Sequence, residues 1–410
     1  MSAEGKPTAW TRAASQAAAQ AGVDVSARAA LRSGETWYQA TDAVLQALDL
    51  DGVPDLAVVF IDSQFALHYR DIIARIREET GALHLIGCSA NGVIGTALEA
   101  EGESAISVMT LRLPDLRLMP LALVPRLSLD SVLASVEGAE AKVWLVLADP
   151  HTTHVEQIVA ALAARAPAAA ILGGLASAHN ERHGTAIFVD DHVYRAGAAL
   201  LGISGAVGVH TLVAQGAEPI GQPWTITACD SNLVRAVGSR PAFEVLRETL
   251  DALDEPTRER ARRNLLVGLA MDEYRDAHGR GDYLVRNVLG IDRESGVVAI
   301  NAVPRVGQTL QFQFRDAAAA DDDLVSQLDD FKANLAPDRV VLGALLCACN
   351  GRGRSLFETP NHDAQALASV LGTVPMAGLF CNGEIGPVGG KTFLHGFTAS
   401  IALLTVGAPS

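Results

Sequence analysis

The sequence predicts an α/β protein of two related halves, each built from βαβ units with antiparallel strand extensions. Three observations carry this. Apolar runs rich in β-branched residues, such as 55-DLAVVFIDS-63, lie between Pro54 and polar residues, as strands buried on both faces do. Segments with helical spacing separate successive runs. A glycine turn also recurs: GCSANGVIG at 87–95 matches GLFCNGEIG at 378–386 at Gly, Asn, Gly, Ile and Gly without gaps, the mark of an internal repeat.

Taken in order, residues 1–36 read as an Ala-rich helical lead-in, and WYQATDAVLQALD (37–49) has apolar positions at helical spacing. Strand 55–63, helix 67–79 and a second strand ending in a glycine turn, 83-LHLIGCSANGVIG-95, form the first βαβ unit. Strand 142–149, helix 154–166 and the stretch 169-AAILGGLASAHN-180 repeat the plan, keeping only the first glycine of the turn. Strand 340–349, helix 363–371 and the stretch from 376 repeat it again, with a weaker echo in 264-NLLVGLAMDE-273. Between these units lie hairpin patterns at 185–205, turning at Asp190-Asp191, and at 283–303, turning at Ser-Gly. Segment 307-GQTLQFQFRD-316 alternates as a half-exposed strand should, and AAAADDD (317–323) opens a helix whose Asp run suits the positive end of the helix dipole. The polar stretch 229–242 places the boundary between a 37–235 domain and a 236–405 domain.

Composition narrows the function. The 410 residues carry a net charge of −15, which argues against nucleic acid, whose binding needs a basic face, and against an anionic membrane surface. The longest uncharged apolar run, 196–209, is too short and glycine-rich to span a bilayer. The N-terminus does not read as a signal peptide. Five scattered cysteines do not form a disulfide framework. The expectation is a cytoplasmic protein.

The chemistry concentrates at the last turn. Glu384 stands where the first copy has Val93, and a carboxylate among apolar residues must be paired or face a pocket. Asn350, Arg352 and Arg354 follow the preceding strand, where open α/β sheets bind ligands. With Cys381, Asn382 and Gly383 they would suit a zwitterion, Glu384 taking an ammonium and an arginine fork a carboxylate. The alternative is that Arg352 and Glu384 pair with each other. Cys381 could also act as a nucleophile with His395 or His362 as base. His151 and His154 (151-HTTH-154) read as a solvated helix start, and no zinc, phosphate-loop or dinucleotide pattern is present.

The stretches 237-VGSRPAFEVLRETL-250, 283-YLVRNVLGID-292, 311-QFQFRDA-317, 346-LCACNGRG-353, 374-VPMAGLFCNGEIGP-387 and 393-FLHGFT-398 resemble the FIST domain proteins. DLAVVFIDS, HLIGCSANGVIG, AILGGLAS and AQGAEPIGQPWTIT resemble the N-terminal FIST segment. The resemblance implies a bacterial stand-alone sensory protein with a FIST domain followed by a FIST C domain. It implies a small ligand such as an amino acid, and a separate signalling partner. Some bacterial members are similar to haem-containing nitric-oxide sensors that act on a partner histidine kinase. That raises haem as a cofactor held by His84, His154, His183, His192 or His395. Position by position, the family pattern falls on Asn350, Gly351, Arg352, Gly353, Gly383, Glu384, Gly386 and His395, with Arg286 and Arg315 on two upstream strands. An aromatic residue expected just before the NGE is displaced here, since Phe380 precedes Cys381. An enzyme using Cys381 or Glu384 and a scaffold without ligand are the rival readings.

Overall fold

The apolar runs become pairs of parallel strands, each bridged by a helix. The computed structural model describes residues 25–136, 140–180, 184–273, 275, 278–279 and 281–407. The first repeat comprises β1 (Ser26–Ser33), α1 (Trp37–Leu48), β2 (Leu56–Asp62), α2 (Tyr69–Thr80), β3 (His84–Ala90), the short strands β4 (Val93–Gly95) and β5 (Leu98–Ala100), and β6 (Ala105–Arg112). The second follows the same order: β7 (Arg117–Leu123), α3 (Leu129–Ala134), β8 (Val143–Ala148), α4 (Val155–Arg165), β9 (Ala170–Leu175), β10 (Ile187–Val189), β11 (His192–Tyr194) and β12 (Ala198–Ser204).

The third repeat opens with β13 (Gly208–Gln215) and is then interrupted. The insertion holds β14 (Ala217–Pro219), β15 (Trp224–Asp230), β16 (Leu233–Val237), β17 (Arg240–Pro241), α5 (Ala242–Asp251), α6 (Glu255–Arg263), β18 (Leu265–Ala270), β19 (Tyr283–Asp292), β20 (Val297–Ile300) and β21 (Thr309–Arg315). Helix α7 (Ala317–Asn334) leads back to the repeat. The repeat then resumes with β22 (Arg339–Cys349), the short helix α8 (Arg354–Phe357), α9 (His362–Leu371), β23 (Met376–Cys381), β24 (Glu384–Val388), β25 (Lys391–His395) and β26 (Thr398–Gly407).

Two compact units result: residues 214–323 with 395–397, and the remainder. In the larger unit each repeat supplies four strands to one sheet and sends its short hairpin to another. The sheet orders are β1-β6-β2-β3-β10-β11, β7-β12-β8-β9-β24-β25 and β13-β26-β22-β23-β4-β5. The second repeat thus completes the first sheet, the third completes the second, and the first completes the third. Val58 and Phe60 of β2, Leu145 and Leu147 of β8, and Leu345 and Cys347 of β22 meet in one shared core. Ala57, Val59 and Ile61 point the other way onto α1 and α2, which is why β2 reads as an unbroken apolar run.

The smaller unit is a closed antiparallel barrel. Strands β21, β15, β16, β20, β19 and β18 pair in succession, and β18 returns to β21. Its core holds Ile226, Val267, Phe312 and Phe314.

Several expectations change. Ser26–Ser33, read as part of a helical lead-in, is a strand in register with β6 from Ser26↔Arg112 to Ser33↔Ala105; sheet pairing overrides its alanine-rich composition. Residues 1–24 of that lead-in lie outside the described residues. Segment 264–273 is no echo of the βαβ units, because β18 is antiparallel to both neighbours. Strand β21 is not half-exposed: Gln311 and Gln313 are buried, and the Tyr283 hydroxyl donates to Gln311 Oε1 at 2.6 Å. The hairpin at Asp190-Asp191 forms as read, with Asp190 at φ 51°.

The repeated first glycine has a packing cause. Gly87, Gly173 and Gly378 pair with Val59, Val146 and Leu346 on the first strand of their units. A Cβ there would lie 1.8, 1.9 and 2.2 Å from the carbonyl oxygen of that partner. Backbone on the adjoining strand cannot yield as a side chain would. Gly87→Ala and Gly378→Ala should each lower stability by at least about 3 kcal/mol in urea unfolding. Gly290→Ala, which meets nothing within 4 Å, should stay within about 1 kcal/mol. Equal effects at all three positions would refute the close-approach account.

Candidate functional site

The exchange of hairpins creates the setting of Glu384. After β23 the chain turns through Asn382 and Gly383, whose φ of 152° favours glycine. It then leaves its own sheet to pair with β9, Glu384 facing Gly174. The equivalent pairs in the other two exchanges are Val93 with Leu379 and Ile187 with Cys88. A carboxylate therefore replaces an apolar residue, and a glycine replaces the side chain opposite. A Cβ on Gly174 would lie 3.1 Å from Cys381 Sγ, so the glycine leaves room for the thiol.

Glu384 is fully buried and hydrogen-bonded. Its Oε2 accepts from the Thr398 N–H at 3.1 Å and the Thr398 hydroxyl at 2.9 Å. Its Oε1 lies 3.3 Å from Cys381 Sγ, which is also 3.3 Å from the Ala348 carbonyl. Burial pushes the Glu384 carboxyl up; the Thr398 and Cys381 hydrogen bonds and the Arg352 charge oppose it. Burial also pushes the Cys381 thiol well up, leaving it neutral and a poor nucleophile.

Arg352 does not take Glu384 as its hydrogen-bonded partner. Its Nε and Nη2 donate to Asp363 Oδ2 and Oδ1 at 2.6 and 2.8 Å, with both side chains fully buried. Burial raises the Asp363 carboxyl, but the Arg352 charge and hydrogen bonds prevail and hold it at about 2. The guanidinium lies over Phe357, 5.2 Å from the ring centroid, and Phe357 stacks on His362. His362 Nδ1 is 3.0 Å from Asp363 Oδ1. The third nitrogen of the fork, Arg352 Nη1, is buried with no hydrogen-bond partner.

Asn350 binds across the same turn. Its Nδ2 donates to Asn382 Oδ1 at 2.6 Å, while its Oδ1 is out of solvent and unpartnered. The Asn382 N–H donates to the Leu175 carbonyl, and the Gly383 carbonyl accepts from the Leu175 N–H. Arg354 is exposed, and its N–H donates to both oxygens of Glu101. Asn350, Arg352, Cys381, Asn382, Gly383 and Glu384 are thus brought to one end of the third βαβ unit. Arg286, Arg315 and His395 belong to the barrel unit. Arg286 Nη1 donates to the Val285 carbonyl, Arg315 lies over the Phe397 ring, and His395 is buried.

The sequence reading missed Asp363, Thr398, Glu99 and Glu101. Asp363, at the start of a helix beside an acid-poor loop, was a findable partner for a buried arginine. Glu99 and Glu101 carry no such signal, because the exchanged β4–β5 hairpin brings them from far upstream. The Glu99 carboxylate accepts from the Ala364 N–H at 2.9 Å, and its Oε2 is buried and unpartnered. Burial, then the Asp363 charge, pushes Glu99 up to about 7.

Three of the histidines named as candidate haem ligands, His84, His154 and His192, lie in different settings in the larger unit. His84 Nδ1 sits 3.2 Å from Asp190 Oδ1, and His192 stacks on Tyr194 at the surface. His154 lines a cleft of about 170 Å³. His183 lies outside the described residues. Among the described residues no three His, Cys, Asp or Glu side chains group as metal ligands. No described helix is long and apolar enough to cross a membrane.

Two measurements follow from the buried charges. Arg352→Ala strands the Asp363 carboxylate and should cost about 3–5 kcal/mol in unfolding at pH 7. Arg352→Met combined with Asp363→Leu should cost at least about 1 kcal/mol less than the two single changes summed; additivity would contradict the pairing. Glu99 acts with the opposite sign. Its raised value means that ionisation weakens the fold progressively as pH rises from about 4.5 to about 7 and remains costly above. Glu99→Gln should be near neutral at pH 4.5 and stabilising by up to about 3 kcal/mol at pH 8. A difference independent of pH would contradict it.

Comparison with known proteins finds matches along both halves of the chain. Residues 55–240 match the FIST N domain and residues 242–387 the FIST C domain, which are sensory, signal-transduction domains. Uncharacterized protein Rv0628c of Mycobacterium tuberculosis (strain ATCC 25618 / H37Rv) is 35% identical over 354 residues, covering 86% of this chain and 91% of its own. Uncharacterized protein Mb0898c of Mycobacterium bovis (strain ATCC BAA-935 / AF2122/97) is 35% identical over 374 residues, covering 89% and 94%. The chain belongs to the FIST family, a FIST N domain followed by a FIST C domain.

Proposed function

We propose that the protein is a cytoplasmic, non-catalytic sensor of an amino acid or similar zwitterionic metabolite, and that it signals to a separate protein. The observation that carries this is a pair of unsatisfied polar atoms at the same end of the third βαβ unit as Glu384. Arg352 Nη1 is a donor and Asn350 Oδ1 an acceptor, and both are out of solvent without a partner. Each such atom costs about 1–3 kcal/mol when nothing meets it. A carboxylate on Arg352 Nη1 and an ammonium shared by Asn350 Oδ1 and Glu384 would meet both needs.

The loop over the cluster supports a switch. Glu358 and Asn361 hold φ values of 58° and 65°, conformations that cost non-glycine residues about 1 kcal/mol or more. A ligand that meets the unpartnered Arg352 and Asn350 atoms would favour the arrangement of this loop that it binds. Such a shift changes the surface offered to a partner such as a histidine kinase.

A thermal-shift titration of the purified protein with each amino acid tests this. At least one should raise the melting temperature saturably, by the equivalent of about 2.7 kcal/mol at a hundred times its Kd. Glu384→Gln and Asn350→Ala should each abolish the rise. A flat panel, or an undiminished rise in both variants, would defeat the proposal.

A further inference from the structure

The cleft of about 170 Å³ at the start of α4 is lined by Leu123, Leu127, Leu129, Ile158, His154 and Gln157, among others. It lies in the second repeat, away from Glu384, and internal repetition shows what it lacks. His68 immediately precedes α2, His154 immediately precedes α4, and His362 is the first residue of α9. In the first repeat the Trp37 ring stacks on His68, with centroids 5.5 Å apart and planes at 20°. In the third, Phe357 stacks on His362 at 3.3 Å and 6°. Both histidines are half-buried, whereas His154 is exposed.

The missing ring can be traced to one position. Trp37 is the first residue of α1, preceded by the capping Thr36; Leu129 is the first residue of α3, preceded by the capping Ser128. The second repeat thus has leucine where the first has the stacking tryptophan, and Leu129 and His154 both border the cleft. Stacking of a flat ring against imidazole is favourable, and a cavity of ~150 Å³ suffices to hold benzene. The Thr152 and Thr153 hydroxyls are committed to Asp149. The contact surface offered is therefore the imidazole face, the Gln157 amide and the apolar wall.

We propose that this cleft binds a small planar aromatic molecule, seated between Leu129 and the His154 ring as Trp37 sits against His68. The site is independent of the zwitterion site and stands or falls separately. The probe is indole, titrated into the full chain by calorimetry. Saturable binding at one site is expected. Cyclohexylmethanol, apolar but without a flat π-face, should bind at least tenfold more weakly. Leu129→Trp should supply the missing ring from within, abolish indole binding and leave the melting temperature equal or higher. His154→Ala, a surface change, should weaken indole at least threefold. The peptide Gly-Trp-Gly should bind at least tenfold more weakly than indole; equal or tighter binding would overturn assignment to a free small molecule. No saturable binding, or unchanged affinity in His154→Ala, would overturn the site itself.

Discussion

Cyclic exchange of hairpins is the constraint on which the larger unit depends. Each βαβ unit leaves the edge of its second strand unpaired, and an open edge is a liability. None of the three repeats covers that edge itself: β10 pairs with β3, β24 with β9, and β4 with β23. The inner faces of the three sheets then close over one core. Exchange makes the repeats interdependent, so a residue's neighbours are set by another repeat as much as by its own.

The polar cluster follows from that geometry. Each exchanged hairpin begins with a buried residue facing the second strand of another sheet. Valine and isoleucine there need only apolar contact. Glu384 needs donors, and Thr398 and Cys381 provide them. The next charged pair, Arg352 with Asp363, is also satisfied by a close bidentate contact. It is made within the third repeat, and the first repeat's hairpin places Glu99 against the same helix start. Three buried atoms stay unsatisfied around this helix start and turn: Glu99 Oε2, Asn350 Oδ1 and Arg352 Nη1.

Much of this was legible because local rules and global packing agree. Two-sided burial wrote β2 and β8 into the sequence as unbroken apolar runs. The alignment of 87–95 with 378–386 is the structural equivalence itself, from the close-packed Gly87 and Gly378 to the turn glycines Gly92 and Gly383. Pairing over long separations was not legible. Alanine-rich β1 has no local preference that reveals its partner β6. The glutamines of β21 look like an exposed face until the barrel and its Tyr283 hydrogen bond bury them. The partner of Arg352 was not legible for a similar reason: Glu384, its partner in the alternative reading, and Asp363 are both acids downstream of it, and only geometry ranks them.

Internal repetition also separates scaffold from site. A residue present in all three repeats answers a demand the architecture makes three times, as the glycine against the neighbouring carbonyl does. Function is better sought where one repeat departs from the others and the departure exacts a cost. Glu384 buries a carboxylate where its equivalents bury hydrocarbon. Leu129 gives up an aromatic contact that Trp37 keeps. Packing alone gives no reason to prefer either departure, since the valine, isoleucine and tryptophan versions are realised in the same molecule. Two separate departures, one polar and buried and one apolar and open, are therefore where the two proposed sites of different chemistry fall on a scaffold that otherwise repeats itself.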